Sequence, residues 1–269
     1  MTETGDKFKE LIDIMERLRG PDGCPWDREQ TYKDIAPHTL EEVHEVLDAI
    51  DRGDLDGLKE ELGDLLLQIV FYAQIAKDEK RFTIDDVVDS ISKKLIHRHP
   101  HVFGERKVKD SGEVLEQWEK LKFQEGKKSV VGGVPKALPA LLKAYRLGEK
   151  TARVGFDWED AEGILAKLEE EARELHEARK TLRLADARSG QAKDEAAIEH
   201  EYGDLLFTMA NIGRFLGIDP EGALRKATER FIKRFKFMED EIFEQKKEMQ
   251  KLSAKEWDDL WEESKRHGM

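Results

Sequence analysis

An acid pattern written twice at helical spacing restricts this chain more than any other feature. Glu41-Glu42-Val43-His44-Glu45 precedes Glu60-Glu61-Leu62-Gly63-Asp64, and Glu170-Glu171-Ala172-Arg173-Glu174 precedes Glu201-Tyr202-Gly203-Asp204. Glu42 and Glu45 map onto Glu171 and Glu174, since 171 − 42 and 174 − 45 both give 129. Glu61 and Asp64 map onto Glu201 and Asp204, with 140 for both pairs. The difference, 140 − 129 = 11 residues, falls in the polar stretch Asp186 to Asp194, where a longer connection costs little loop-closure entropy. Lys94 and Arg98 match Arg230 and Arg234 at an offset of 136, and Trp118 matches Trp261 at 143. Order and local spacing are kept while connections vary, which marks a duplicated unit.

The elements between the acids read as helices throughout. Apolar positions recur at helical spacing from Phe8 to Leu18, and the Gly/Pro-rich segment Gly20 to Asp27 reads as a loop. Further helices are predicted from Pro37 or His38 to Arg52, from Leu55 to Lys77, and from a Thr83 cap to the stop at His99-Pro100. A short helix is predicted over Glu113 to Lys122. In the second half helices are predicted over Ala140 to Thr151, Ala161 to Leu184, Glu195 to Leu216, Pro220 to Lys251 and Ser253 to Lys265. Nothing alternates with period two long enough to make a sheet. The expected fold is all-α, as tandem helical bundles: an N-terminal domain 1–125, a linker 126–139 and a C-terminal domain 140–269.

Charge narrows the partners. Lys and Arg number 46 against 59 Asp and Glu, a net charge of −13, so the surface as a whole repels nucleic acid and anionic membrane. A phosphate-bearing ligand therefore needs local cations or metal. Cys24 has no second cysteine to pair with, the first residues carry no apolar leader, and no apolar run approaches the ~18 residues of a membrane span. A soluble, cytoplasmic protein is expected.

Residues three apart on a helix share a face, so each acid segment presents two carboxylates side by side, and two such helices packed antiparallel offer four to one point. Hard oxygen ligands in that number suit Mg²⁺, which keeps coordination places for water and phosphate. A lone E-x-x-E on a charged helix is ordinarily a solvated face. Here Glu61/Asp64 and Glu201/Asp204 run directly into Leu65 to Phe71 and Leu205 to Ala210. A helix apolar nearly all round is expected to be buried, and buried carboxylates must find cations. Gly63 and Gly203 serve either close helix packing or space for a ligand. Arg230/Arg234 and Lys94/Arg98 each form a basic edge that fits phosphate or ordinary ion pairing, and Lys167, four before Glu171, is similar. Trp118 and Trp261 read first as core or interface and second as surfaces for a base. His97, His99 and His101 and the motif Glu41-x-x-His44 raise imidazole-metal alternatives, the latter a di-iron bundle, but Arg173 replaces His44 in the second copy.

These residues resemble the MazG family of nucleoside triphosphate pyrophosphohydrolases. The likeness rests on Leu18-Arg19-Gly20-Pro21-Asp22-Gly23-Cys24-Pro25-Trp26-Asp27, Gln30-Thr31, both acid sets, His99 to Gly104, Arg153-Val154-Gly155-Phe156-Asp157-Trp158, Gly203 to Phe207 and Arg234-Phe235, covering nearly the whole chain. The resemblance implies Mg²⁺-dependent hydrolysis of nucleoside triphosphates to monophosphate and pyrophosphate by a homodimer, with the C-terminal half catalytic. It implies Glu171, Glu174, Glu201 and Asp204 as metal ligands, with Glu42, Glu45, Glu61 and Asp64 as a second possible set. Lys167, Glu170, Arg230, Arg234 and Trp261 would contact the nucleotide, and Glu170 would accept a proton from water. The family often has lysine at the position of Arg230. The competing expectation is a non-catalytic helical assembly or regulatory protein, above all for the N-terminal half.

Overall fold

The computed structural model describes residues 2–105, 107–110, 112–114, 129–184 and 191–267, with backbone alone at 181–184 and 191–194. Described residues form helices and connections, with no strand among them. The chain divides into two compact units, Met1–Trp118 and Glu119–Met269. Most of the helix predicted over Glu113 to Lys122, with Trp118, lies outside the described residues, as does the part of the polar break at 185–190.

The first unit contains α1 (Glu3–Arg19), α2 (Pro25–Glu29), α3 (Tyr32–Arg52), α4 (Leu55–Asp78), α5 (Ile84–Arg98) and α6 (Pro100–Phe103). Helix α3 starts earlier than Pro37 because Asp34 accepts a bond from the Thr31 backbone N–H (2.9 Å) and fixes the first turn. Pro37 sits inside the helix and forgoes one backbone bond. Gly53, with φ +67°, closes α3, and Asp54 caps α4, so the two long helices turn back on each other. The segment read as loop contains α2, with Pro25 pre-set for its first position. Arg19 pins that segment through the carbonyls of Asp27 and Gln30, and bonds Asp78 at 2.8 Å. A core of Met15, Ile35, Val70, Phe71 and Ile75, each at most 4% exposed, joins α1, α3 and α4. Each side chain buried there contributes about 1.5–3 kcal/mol.

The second unit contains α7 (Ala140–Ala152), α8 (Ala161–Leu184), α9 (Gln191–Phe215), α10 (Pro220–Glu244), a 3₁₀ turn (Met249–Lys251) and α11 (Ala254–Arg266). Helix α9 begins four residues before the expected Glu195, since Gln191 to Asp194 contains no helix breaker. Helix α10 stops at Glu244 rather than running to Lys251, because Lys246 takes a left-handed φ of +53° and Lys247 N–H bonds the Ile242 carbonyl at 3.1 Å. A lysine in that role gives no warning in sequence, where glycine is the usual sign. Ser253 and Glu256 form a capping box for α11. Packing repeats the first unit: α8 lies along α9 as α3 along α4, and α7 covers α9 as α1 covers α4.

One expectation fails. The apolar runs of α4 and α9 are buried on one face only, leaving Leu62, Leu66 and Ile69, and equally Leu206, Phe207 and Met209, exposed. Among the described residues α4 is covered chiefly by α1 and α3, and α9 by α7 and α8. The remaining apolar face of each is solvent-facing.

Candidate active site

In the second unit, ligand oxygens of Glu171, Glu201 and Asp204 lie within 4.8 Å of one another. Glu201 and Asp204 share a face of α9, and α8 brings Glu171 across to them. The Glu171 side chain is only 5% exposed. Its Oε1 accepts a hydrogen bond from Lys167 Nζ at 2.7 Å, while Oε2 is buried with no hydrogen-bond partner. Lys167 also reaches Glu170 Oε1 at 3.2 Å. Bonding to Glu171 and then to Glu170 holds the Lys167 ammonium well above its usual range, so it stays charged. Glu174 is exposed and stands outside the trio. Asp204 has His200 Nε2 at 3.4 Å on its open side.

The first unit repeats the arrangement with a different third member. Glu42, Glu45 and Glu61 come together within the same 4.8 Å limit. Asp64 is not one of the three, although its charge acts on both Glu42 and Glu61. Burial, then Asp64 and Glu45, pushes the Glu42 carboxyl up; burial, then Glu45 and Glu60, does the same for Glu61. Gln68 Nε2 donates to Glu42 Oε1 at 3.4 Å. The position of Lys167 is taken by His38, 3.8 Å from Glu41.

These donor sets fit a hard cation. Three carboxylates converge with no competing sulfur or imidazole in the group, and in the second unit an inward oxygen lacks a partner that a metal or protein donor must supply. Among the described residues these two trios are the groups of three or more potential ligands. His97, His99 and His101 form no such group, and His99 Nδ1 is bonded to the Leu95 carbonyl at 2.7 Å. His44 belongs to neither trio.

The remaining basic and aromatic candidates among the described residues lie on α5, α10 and α11. Arg230 is exposed on α10. The Arg234 guanidinium stands 5.4 Å from the Trp261 ring centre, and Trp261 meets Phe231 at 5.6 Å. Trp261 packs against the Met238, Ile242 and Leu260 core that joins α10 to α11. Lys94 is exposed and Arg98 half-buried on α5.

Sequence reading passed over Asn211. It is fully buried on the same face of α9 as Asp204, two turns on, where α7 approaches with Gly148. A polar Asn amid the apolar run after Asp204 was the available signal.

The family model for the MazG nucleotide pyrophosphohydrolase domain matches this chain twice, over residues 30–103 and 159–238. The chain is 47% identical over 268 residues, 98% of each chain, to the Nucleoside triphosphate pyrophosphohydrolase/pyrophosphatase MazG of Thermotoga maritima. It is 43% identical over 267 residues to the Nucleoside triphosphate pyrophosphohydrolase of Escherichia coli strain K12, covering 97% of this chain and 98% of that one. The two matched segments bracket the two acid trios, and this chain belongs to the MazG nucleotide pyrophosphohydrolase family.

Proposed function

We propose that the chain hydrolyses nucleoside triphosphates to monophosphate and pyrophosphate in the cytoplasm, with Mg²⁺, at the acid site of its C-terminal domain (140–269). The observation that carries this reading is the buried Glu171, with one oxygen on Lys167 and the other without a partner beside Glu201 and Asp204. Glu171, Glu201 and Asp204, joined by Glu174 from the next turn of α8, would hold the ion. Bound there, Mg²⁺ supplies charge neutralisation on the triphosphate and a more acidic water. Lys167 draws phosphate oxygens towards the acids. Glu170, half-exposed on the same turn, takes the proton of the attacking water at its outer oxygen. Arg230 and Arg234 offset charge on the departing pyrophosphate, and Trp261, fixed beside Arg234, supports that contact.

The assembly reading applies to the N-terminal domain (1–125). Exposed Leu62, Leu66 and Ile69 on α4 and Val88, Ile91 and Leu95 on α5 form apolar rows that suit burial against a second copy, and the exposed row on α9 suits it equally. A homodimer is the expected form. Its acids make a second cation site without a fixed lysine.

A panel of NTPs and dNTPs with Mg²⁺, read by pyrophosphate release, tests the function. Activity that survives chelation, or release of orthophosphate in place of pyrophosphate, overturns it.

A further inference from the structure

The first unit places a buried amide beside its acids. Gln68 follows Asp64 by one turn and Glu61 by two turns of α4, on the face that carries both acids. It is 7% exposed. Its Nε2 donates to Glu42 Oε1 at 3.4 Å, a long bond that sets the amide against the Glu42, Glu45 and Glu61 trio. Its Oε1 is buried with no hydrogen-bond partner. Both amide atoms hang from one carbon, so the bare oxygen lies next to the nitrogen that meets the acids.

Packing does not account for this residue. Gln68 interrupts the apolar run from Leu65 to Phe71, where leucine or methionine would fill the same space without a polar group to satisfy. A buried amide oxygen without a donor is rare and calls for a partner. No ammonium stands here as Lys167 stands on Glu171, since the matched residue is His38, which lies beside Glu41. One ion satisfies all four groups: a hard divalent cation takes carboxylate oxygens as ligands, and an amide oxygen meets it directly or accepts from its bound water.

The second unit lacks this oxygen. At the offset of 140 Gln68 becomes Thr208, which is 3% exposed and carries its hydroxyl on the β-carbon, well short of the reach of a glutamine amide. Lys167 is fixed there instead, where an ammonium can meet phosphate. An ion among acids and a lysine is suited to sharing with a phosphate ligand. An ion among acids and an amide is suited to completion by protein and water alone. We infer that Gln68 belongs to the cation site of the first unit, its Oε1 facing a hydrated Mg²⁺ on Glu42, Glu45 and Glu61, and that this ion is bound without nucleotide as a clamp between α3 and α4. The inference rests on the proposed second cation site and adds the residue and the role that set it apart from the catalytic one.

The test uses the full chain carrying Glu171→Gln, which takes the buried ligand out of the C-terminal site. Mg²⁺ alone is the probe, read by isothermal titration and by melting temperature with the ion and with chelator. Gln68→Met keeps the volume and removes the amide. It is expected to raise the Kd for Mg²⁺ about tenfold and to shrink the rise in melting temperature that Mg²⁺ gives, while the chelated protein melts no lower than its parent. Gln68→Glu puts a carboxylate at the same place and is expected to move both readouts the other way, with tighter Mg²⁺ and a lower melting temperature in chelator. If both variants melt lower in chelator and bind Mg²⁺ as the parent does, Gln68 serves packing only and the inference falls. Should Gln68→Met fail to fold, the sign of the Kd change in Gln68→Glu decides alone. A parent that takes up no Mg²⁺ defeats the second cation site itself, which separates that failure from uptake indifferent to Gln68.

Discussion

The two acid sites differ less in their acids than in what stands next to them. Glu42 and Glu171, and Glu61 and Glu201, occupy matched positions. Beside the second pair a lysine bridges Glu170 and Glu171; beside the first stands His38, against an exposed Glu41. Correspondingly, Glu42 and Glu61 are both pushed above the usual carboxylate range by burial and by each other's neighbours. A fixed ammonium lets a carboxylate be buried without metal. Where none is present, the acids repel until a cation arrives. Duplication thus kept two matched acids together while changing the third member and the resting electrostatics, and substitutions at matched positions can separate the two consequences.

The widest gap is expected in activity. Glu171→Gln removes the buried ligand and should lower Mg²⁺-dependent pyrophosphate release by about 10²–10³-fold, the scale of losing one fixed transition-state contact. Glu42→Gln at the matched position should change it less than about twofold, within the scatter of ordinary surface substitutions. Equal losses would show two working sites and erase the functional asymmetry.

Next comes the core. Met15 is 1% exposed inside the α1, α3, α4 cluster, and Met15→Ala should cost about 2–5 kcal/mol by leaving a cavity, read as an early transition in a thermal melt. The second unit has Gly148 at the matched position, an offset of 133, with Asn211 against it instead. Its melting transition should be unmoved by the Met15 change, and a common shift of both transitions would show that the units unfold together.

Much of this contrast was legible beforehand, for identifiable reasons. The acid offsets, the capping residue Thr83, and the long α4 and α8 helices follow from local spacing and end chemistry. Helix ends at Lys246 and at Tyr32 did not, because one uses a left-handed lysine and the other carries Pro37 past its first turn. Which three of each four acids meet was equally hidden: Glu174 and Glu45 are matched in sequence, yet only Glu45 joins a trio. That depends on how side chains settle around a helix crossing, which spacing alone does not fix. The contact of Asn211 with Gly148 and the place of the Gln68 amide required comparing partners across helices, information that no single segment contains.

Lys167→Met sharpens the electrostatic half of the comparison. It leaves Glu171 buried with neither oxygen bonded, so metal-free protein should lose stability. Because Lys167 is 36% exposed and partly screened, the loss should be on the order of 1 kcal/mol. Saturating Mg²⁺ should recover part of it. His38→Met, at the matched place, should have no measurable effect on the melting temperature.

The smallest effect concerns the first trio without metal. A carboxyl raised in the folded state binds its proton more tightly there than in the unfolded chain, so its contribution to stability falls as pH rises from the usual carboxylate range through the raised value. Glu42→Gln has no proton to lose. In chelator it should therefore melt on the order of 1 °C above wild type at about pH 7, with the advantage vanishing by about pH 3, where Glu42 is protonated in both states. Added Mg²⁺ should reverse the order at neutral pH, since wild type regains a ligand that the variant lacks. A variant that melts below wild type in chelator at neutral pH would mean that Glu42 is already compensated in the fold, and the electrostatic contrast between the two units would then lose its basis.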